Sequence, residues 1–269
     1  MIEVENLSFG YSRKKFLKNI CVKISPGEII SLVGANGCGK STLLKCICGL
    51  LRTSKSISLN GKYIEEYSLK QRAKIISFLP QLVEKINSIS VYELIMLGAK
   101  SSSKTGWFIS EEDLSRVENI MTYMNLQHLR QKPVENISGG EKQRALIATI
   151  LAQNAPVIIL DEPVTYMDMQ NQYNLLDVIK SLQKDYDKTV VSVFHDVNHA
   201  MEISDKIIMM KEGEILYAGN PDDIINEKNI FDVFEMKVHI CRLHKFLRPV
   251  LPSAKPQNTS RQEEIEYRH

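Results

Sequence analysis

Residues 34–42, GANGCGKST, constrain this chain more tightly than any other stretch. Gly34, Gly39, Lys40 and Ser41 fit the G-x-x-x-x-G-K-[ST] spacing. Glycines let backbone N–H groups curl around a phosphate, and a helix starting there adds its positive end. Such a loop works when a strand delivers it and a helix carries it away. The flanks comply: EIISLVG (28–34) reads as a buried strand, and STLLKCICG (41–49) as a helix closed by Gly49. Lys40 can then reach the β- and γ-phosphates of a nucleoside triphosphate, while the Ser41 hydroxyl can ligate Mg²⁺.

Three further apolar runs, KIISFLP (74–80), PVIILDE (156–162) and TVVSVFH (189–195), read as strands of a sheet covered on both faces. The start of the chain differs. IEVENLSFGY and NICVKISPGE alternate like antiparallel strands joined at Arg13, Lys14 and Lys15. IIMMKEGEILYAG (207–219) reads as a hairpin with Gly213 in its turn. Residues from about 85 to 136 lack buried-strand runs and read as an inserted helical region. With the helix EKQRALIATILAQN (141–154), the inserted subdomain spans about 85–150. The expected organisation is one domain over 1–248 and a polar tail over 249–269, disordered from about Ser253 on.

Composition excludes several classes. At 269 residues, 43% hydrophobic and 25% charged, the chain can bury a proper core. A net charge of +2 gives no reason to expect nucleic acid as a partner. No apolar run approaches the roughly 18–20 residues that span a bilayer. MIEVENLSFG does not read as a secretion signal, so membrane association would have to come through a partner. Cys21, Cys38, Cys46, Cys48 and Cys241 are odd in number and lack framework spacing, which reads as reduced cytosolic thiols. Cys46 and Cys48 read as thiols packed on a helix.

Candidate chemistry collects at the strand ends. VIILDEP carries Asp161 and Glu162 out of a buried strand. Asp161 can bind Mg²⁺ through water, and Glu162 can take a proton from an attacking water. Taken alone, the pair could equally be two solvated carboxylates. His195 ends VVSVFHD, past the carboxyl end of a strand, where open α/β sheets place their ligands. From there it can contact a γ-phosphate. Gln81, closing SFLPQ, is a candidate for the metal or the lytic water, and for reporting occupancy to the inserted region. His128, His199, His239, His244 and His269 have no comparable setting and receive no role.

One stretch, NISGGEKQR (136–144), admits two readings: Ser138 as an ordinary helix N-cap, or a second phosphate-holding turn. The order of pieces along the chain resembles the ATP-binding cassette ATPases over about residues 1–245. GANGCGKST matches the Walker A loop, Gln81 the Q-loop, ISGGEKQR the signature, VIILDEP the Walker B strand, TYMD the D-loop and His195 the switch histidine. Ile137, Glu141, Val164, Tyr166 and Met167 depart from the commonest residues of these motifs.

The resemblance implies an α/β fold: a P-loop NTPase (RecA-like) core, an N-terminal antiparallel β subdomain and an inserted α-helical subdomain. It implies ATP and Mg²⁺ as cofactors, with Tyr11 stacking on adenine. Gly34, Ala35, Asn36, Gly37, Cys38, Gly39, Lys40, Ser41 and Thr42 would cradle the phosphates. Ser41, Gln81 and Asp161 would hold the metal, and Glu162, Gln81 and His195 would serve the chemistry. Ser138, Gly139, Gly140, Glu141 and Asp168 would address nucleotide held by a second copy of the chain, since two cassettes pack head to tail in this family.

ISVYELIMLG (89–98), FLPQ and HDVNHA (195–200) further resemble importers of iron chelates. That implies a separate integral-membrane permease, a solute-binding protein at one remove and a place on the cytoplasmic face of the membrane. A zinc or manganese importer, or a soluble cassette ATPase in an assembly process such as iron–sulfur cluster biogenesis, is the alternative.

Overall fold

The structure, a computed structural model, describes residues 1–12, 15–81, 88–102, 109–165, 167–241 and 246–249. The tail from 250 on, the junction residues Arg13 and Lys14, Tyr166, His244 and His269 therefore lie outside the described residues.

The chain begins with β1 (Ile2–Phe9) and β2 (Leu17–Ile24), which pair antiparallel; β3 (Ile29–Gly34) then leads into α1 (Lys40–Ile47). β4 (Ile57–Leu59), β5 (Lys62–Tyr63), α2 (Leu69–Ala73) and β6 (Ile76–Leu79) follow. Next come α3 (Val91–Ser102), α4 (Glu111–Tyr123) and α5 (Gly139–Ala152). The alternation resumes with β7 (Val157–Asp161), α6 (Met169–Tyr186), β8 (Thr189–Val193), α7 (Val197–Ile203), β9 (Lys206–Lys211) and β10 (Glu214–Gly219). α8 (Pro221–Ile224), α9 (Glu227–Phe234) and a hairpin of β11 (Val238–Cys241) and β12 (Phe246–Pro249) complete it.

Two sheets organise these elements. The first is antiparallel, in the order β2-β1-β4-β5. The second has the order β10-β9-β3-β8-β7-β6, parallel except for β10. β3, β7 and β8 are buried along their whole length, as their runs of Ile, Leu and Val require. Successive side chains of β7 face opposite layers. Ile158 and Leu160 join a core built with α3 to α7, while Val157 and Ile159 join α1 and the antiparallel sheet. The architecture is the expected one, with its helical and β layers on opposite faces of one core sheet.

The inserted region is tied to the core by α5, against which α3 packs closely. A Cβ on Gly98 would lie 1.9 Å from the carbonyl oxygen of Thr149, so only glycine permits that crossing. Helix α5 starts at Gly139 instead of 141, which makes Gly139 and Gly140 its first helical residues. β2 starts at Leu17, two residues ahead of the expected Asn19. The β11–β12 hairpin was not foreseen from the sequence.

Strand register sets the site. Gly34 pairs with Met210, Leu32 and Asp161 both face Val193 of β8, and Leu79 pairs with Leu160. The carboxyl ends of β3, β8, β7 and β6 thus converge on one edge, delivering the loop at 34–42, His195, Asp161–Glu162 and Gln81 together.

Candidate functional site

The loop between β3 and α1 depends on its glycines. Gly34 has φ 155°, and a Cβ there would lie 2.2 Å from the carbonyl oxygen of Met210. Gly39 caps α1 at φ 114° and offers no side chain to the helix's first N–H groups. Those donors are left for an anion. Lys40 is buried at 5% exposure; its Nζ donates to the carbonyls of Gly34 at 2.8 Å and Ala35 at 3.1 Å. The ammonium therefore lies across the loop it would serve. Ala35, Asn36 and Gly37 are exposed, whereas Cys38 and Thr42 are buried.

Ser41 Oγ donates to Asp161 Oδ1 at 2.9 Å. Asp161 is 2% exposed, and burial pushes its carboxyl above the usual range. The Ser41 hydrogen bond opposes that rise, the neighbouring Glu162 charge adds to it, and Lys45 and Lys40 oppose it. Glu162 is held from two sides: Gln81 Nε2 donates to its Oε2 at 2.5 Å, and His195 Nε2 meets its Oε1 at 2.7 Å. Thr165 Oγ1 reaches Oε2 at 3.4 Å. Glu162 also adopts φ 55°, a left-handed conformation that non-glycine residues seldom take. Such strain is retained where surrounding contacts over-determine it, often at functional sites.

These groups enclose a cleft of about 320 Å³ lined by Asn36, Gly37, Gly39, Lys40, Ser41 and Thr42 on one side, and by Gln81, Glu162 and His195 on the other. Phe16, to which the sequence assigns no role, completes the lining. The aromatic at the expected adenine position, Tyr11, is 65% exposed; its ring lies edge-on to Phe9, and its hydroxyl meets Thr42 Oγ1 at 3.2 Å. The cleft can hold a phosphate chain on N–H groups and an ammonium, with a carboxylate at its end.

The structure does not bring the second candidate turn into this cleft. Ser138 caps α5 in a reciprocal box with Glu141: Ser138 Oγ accepts from the Glu141 N–H at 3.3 Å, and Glu141 Oε2 accepts from the Ser138 N–H and hydroxyl, each at 2.8 Å. Those bonds hold the Glu141 carboxyl below the usual range. Asp168 caps α6, and the Asn171 N–H lowers its carboxyl. Ser138, Gly139 and Asp168 are exposed, and neither they nor Gly140 and Glu141 line the cleft. The N-cap reading of Ser138 is thus correct as local structure, which leaves its exposed face open to a further role.

Of the histidines given no role, His199 is buried, with Tyr173 and Phe194 edge-on to its ring. His128 lies 3.9 Å from Glu141. His239 meets Glu227 on the surface. Among the described residues no three His, Cys, Asp or Glu form a metal cluster, and no helix is long and apolar enough to cross a membrane.

Residues 17–165 match the family model described as ABC transporter. The chain is 34% identical over 241 residues to the petrobactin import ATP-binding protein FpuC of Bacillus anthracis, covering 89% of each. It is 31% identical over 250 residues to the iron(3+)-hydroxamate import ATP-binding protein FhuC of Bacillus subtilis strain 168, covering 93% of each. Among solved structures, an inward-facing ABC transporter described as of metal-chelate type superposes with a TM-score of 0.79 at 26% identity, over 93% of this chain and 97% of that one. A family model over more than half of the chain, and relatives this similar over nearly its whole length, make the chain a member of the ABC transporter family, an ATP-binding and ATP-hydrolysing subunit.

Proposed function

We propose that the chain energises uptake of an iron chelate, a siderophore, haem or cobalamin-like molecule, through a separate permease on the cytoplasmic face of the membrane, with a solute-binding protein delivering the cargo. The cargo class is supported by the relatives, whose names specify petrobactin and ferric hydroxamate import. We read residues 1–248 as one ATPase unit with its helical insertion at about 85–150.

The observation that carries the chemistry is Glu162 held between Gln81 and His195 at the mouth of the phosphate loop. In this reading Tyr11 stacks on the base. The backbone of residues 34–42 cradles the phosphates, and Lys40 leaves the carbonyls of Gly34 and Ala35 for the β- and γ-phosphate oxygens. Glu162 takes the proton of the attacking water, which Gln81 orients, and His195 donates toward the γ-phosphate.

Ser41, Asp161 and Gln81 offer hard oxygen donors of the kind Mg²⁺ prefers. The buried Asp161 charge, 2.9 Å from Ser41 Oγ, is one a divalent cation would offset. Bound there, Mg²⁺ supplies charge neutralisation to the triphosphate. Ser138, Gly139, Gly140, Glu141 and Asp168 lie outside their own chain's cleft, which supports two copies packed head to tail, each offering these residues to the other's nucleotide.

The test replaces Glu162 by Gln. Losing a general base costs about 10²–10⁴-fold, so ATPase activity of the purified transporter should fall by that factor while nucleotide stays bound. Cells relying on the variant should lose ferric-chelate uptake and keep zinc and manganese uptake. Loss of zinc or manganese uptake instead would overturn the cargo assignment, and unchanged turnover would remove Glu162 from the chemistry.

A further inference from the structure

Asn171, in the first turn of α6, takes no part in the cleft, yet it stands between the two exposed motifs. Its Oδ1 accepts from Arg144 Nη1 at 3.2 Å, on the helix that opens with Ser138. Its Nδ2 donates to Asp168 Oδ2 at 2.6 Å, and its backbone N–H donates to Asp168 Oδ1 at 2.9 Å. The Asp168 carboxylate is thereby held at both oxygens. The amide also packs on the turn itself, since a Cβ on Gly140 would lie 3.5 Å from Asn171 Nδ2. Two glutamines brace the chain between Glu162 and Asp168. Gln143 Nε2 donates to the Pro163 carbonyl at 2.8 Å, and Gln172 Nε2 to the Met167 carbonyl at 3.0 Å.

We infer that Asn171 is a positioning residue that locks the Ser138–Glu141 turn and Asp168 into one unit for engaging the nucleotide held by a second copy of this chain. The inference rests on the head-to-tail reading above. Its chemistry follows from the neighbours: the side chain must accept from a guanidinium and donate to a carboxylate at once, and a neutral amide does both. The two motifs begin different helices, 30 residues apart in sequence (Ser138 to Asp168). Without a cross-link, each would have to be oriented separately when the partner's nucleotide arrives, an ordering cost that pre-organisation removes.

The test uses mixed dimers purified through two different affinity tags, with Lys40→Ala in one subunit and Glu162→Gln in both to prevent turnover. One working site remains: the phosphate loop of the subunit that keeps Lys40, facing the Ser138 turn and Asp168 of the subunit that lacks it. Asn171→Ala is then placed in either subunit. The backbone N–H that caps α6 through Asp168 survives this change, so the helix start is kept. Carried by the Lys40→Ala subunit, the substitution should weaken ATP occlusion about 10–100-fold, as expected for losing one or two charge-assisted hydrogen bonds. Carried by the other subunit it should change occlusion less than about twofold, and ATP binding to isolated subunits that keep Lys40 should stay the same. Asn171→Asp, of nearly equal size, should show the same dependence on placement. Equal loss in both placements, or loss in neither, would overturn the assignment, because a residue needed only for folding weakens whichever chain carries it. A parent mixed dimer that occludes no ATP would overturn the head-to-tail reading and this inference with it.

Discussion

Asp161→Asn should make the nucleotide-free chain more stable while impairing its work. Asp161 is 2% exposed, beside Glu162, and its carboxyl is pushed upward chiefly by burial. Taking a charge out of water costs several kcal/mol after relaxation. Here the Ser41 hydrogen bond, Lys45 and Lys40 offset part of that, yet the carboxyl stays above its usual range, so a net penalty on the charged form remains. Asparagine has the same shape, and its Oδ1 can still accept from Ser41 Oγ, so the substitution removes the charge and little else. For a chain of this size each kcal/mol moves Tm by roughly 2–4 °C.

The sign with pH follows from the raised pKa. The folded state holds the Asp161 proton more tightly than the unfolded state does, so ionisation destabilises the wild type above the folded pKa, and the penalty vanishes below the unfolded pKa. The variant's advantage should therefore be full at neutral pH and shrink on acidification through that window. Calorimetry of the nucleotide-free proteins, from neutral pH down through the ordinary carboxylate range, measures it. The same variant should lose the Mg²⁺-dependent part of its ATP affinity. A lower Tm for the variant at neutral pH, or a gap that does not change with pH, would refute the reasoning.

Two further outcomes bear on the site. Cys38 lies inside the phosphate loop at 5% exposure, so maleimide should react slowly, block ATPase activity and be excluded by MgATP. Cys38→Ser should resist, while labelling of the exposed Cys21 should leave activity intact; Cys46, with its thiol pushed up to about 12 by burial, should stay unlabelled. In the second, subunits carrying Lys40→Ala and Ser138→Arg should each fail alone. Mixed, they should occlude about one ATP per pair, because sharing across subunits gathers both defects in one site; no rescue would mean that each chain uses its own turn.

The core sheet was legible because its strands are covered on both faces: runs such as VIIL (157–160) have nowhere else to go. Gln81, Glu162 and His195 were legible for a related reason, since each follows directly on such a run and parallel register brings the ends together. What stayed hidden depends on contacts between distant segments. Phe16 enters the cleft only because β2 starts at Leu17 and packs beside Gly39, where a Cβ would lie 2.7 Å from Leu17 Cδ2. Asn171 reads as one more polar residue on an exposed helix face until Arg144, 27 residues earlier, is seen to bond it. The helical start at Gly139 was missed because glycine weakens helix propensity, and here the Ser138–Glu141 box outweighs it.

The internal partners of the cleft groups have a common logic. Buried polar atoms must be satisfied, and three of the side chains proposed to serve the nucleotide site already have protein atoms in the place of their intended partners. Lys40 has two carbonyls where phosphate oxygens would go, Ser41 has the Asp161 carboxylate, and Glu162 has Gln81 and His195. Binding is then an exchange of hydrogen bonds, with little net gain from each. An uncharged ligand would give Lys40 little more than its two carbonyls do, whereas a triphosphate replaces partial charges with full ones. Selectivity for a highly charged anion therefore resides in what the ligand must displace as much as in what it touches. If Glu162 is the base, as proposed, the same exchange would free its carboxylate only when something else claims Gln81 and His195, and would tie its availability to the presence of substrate.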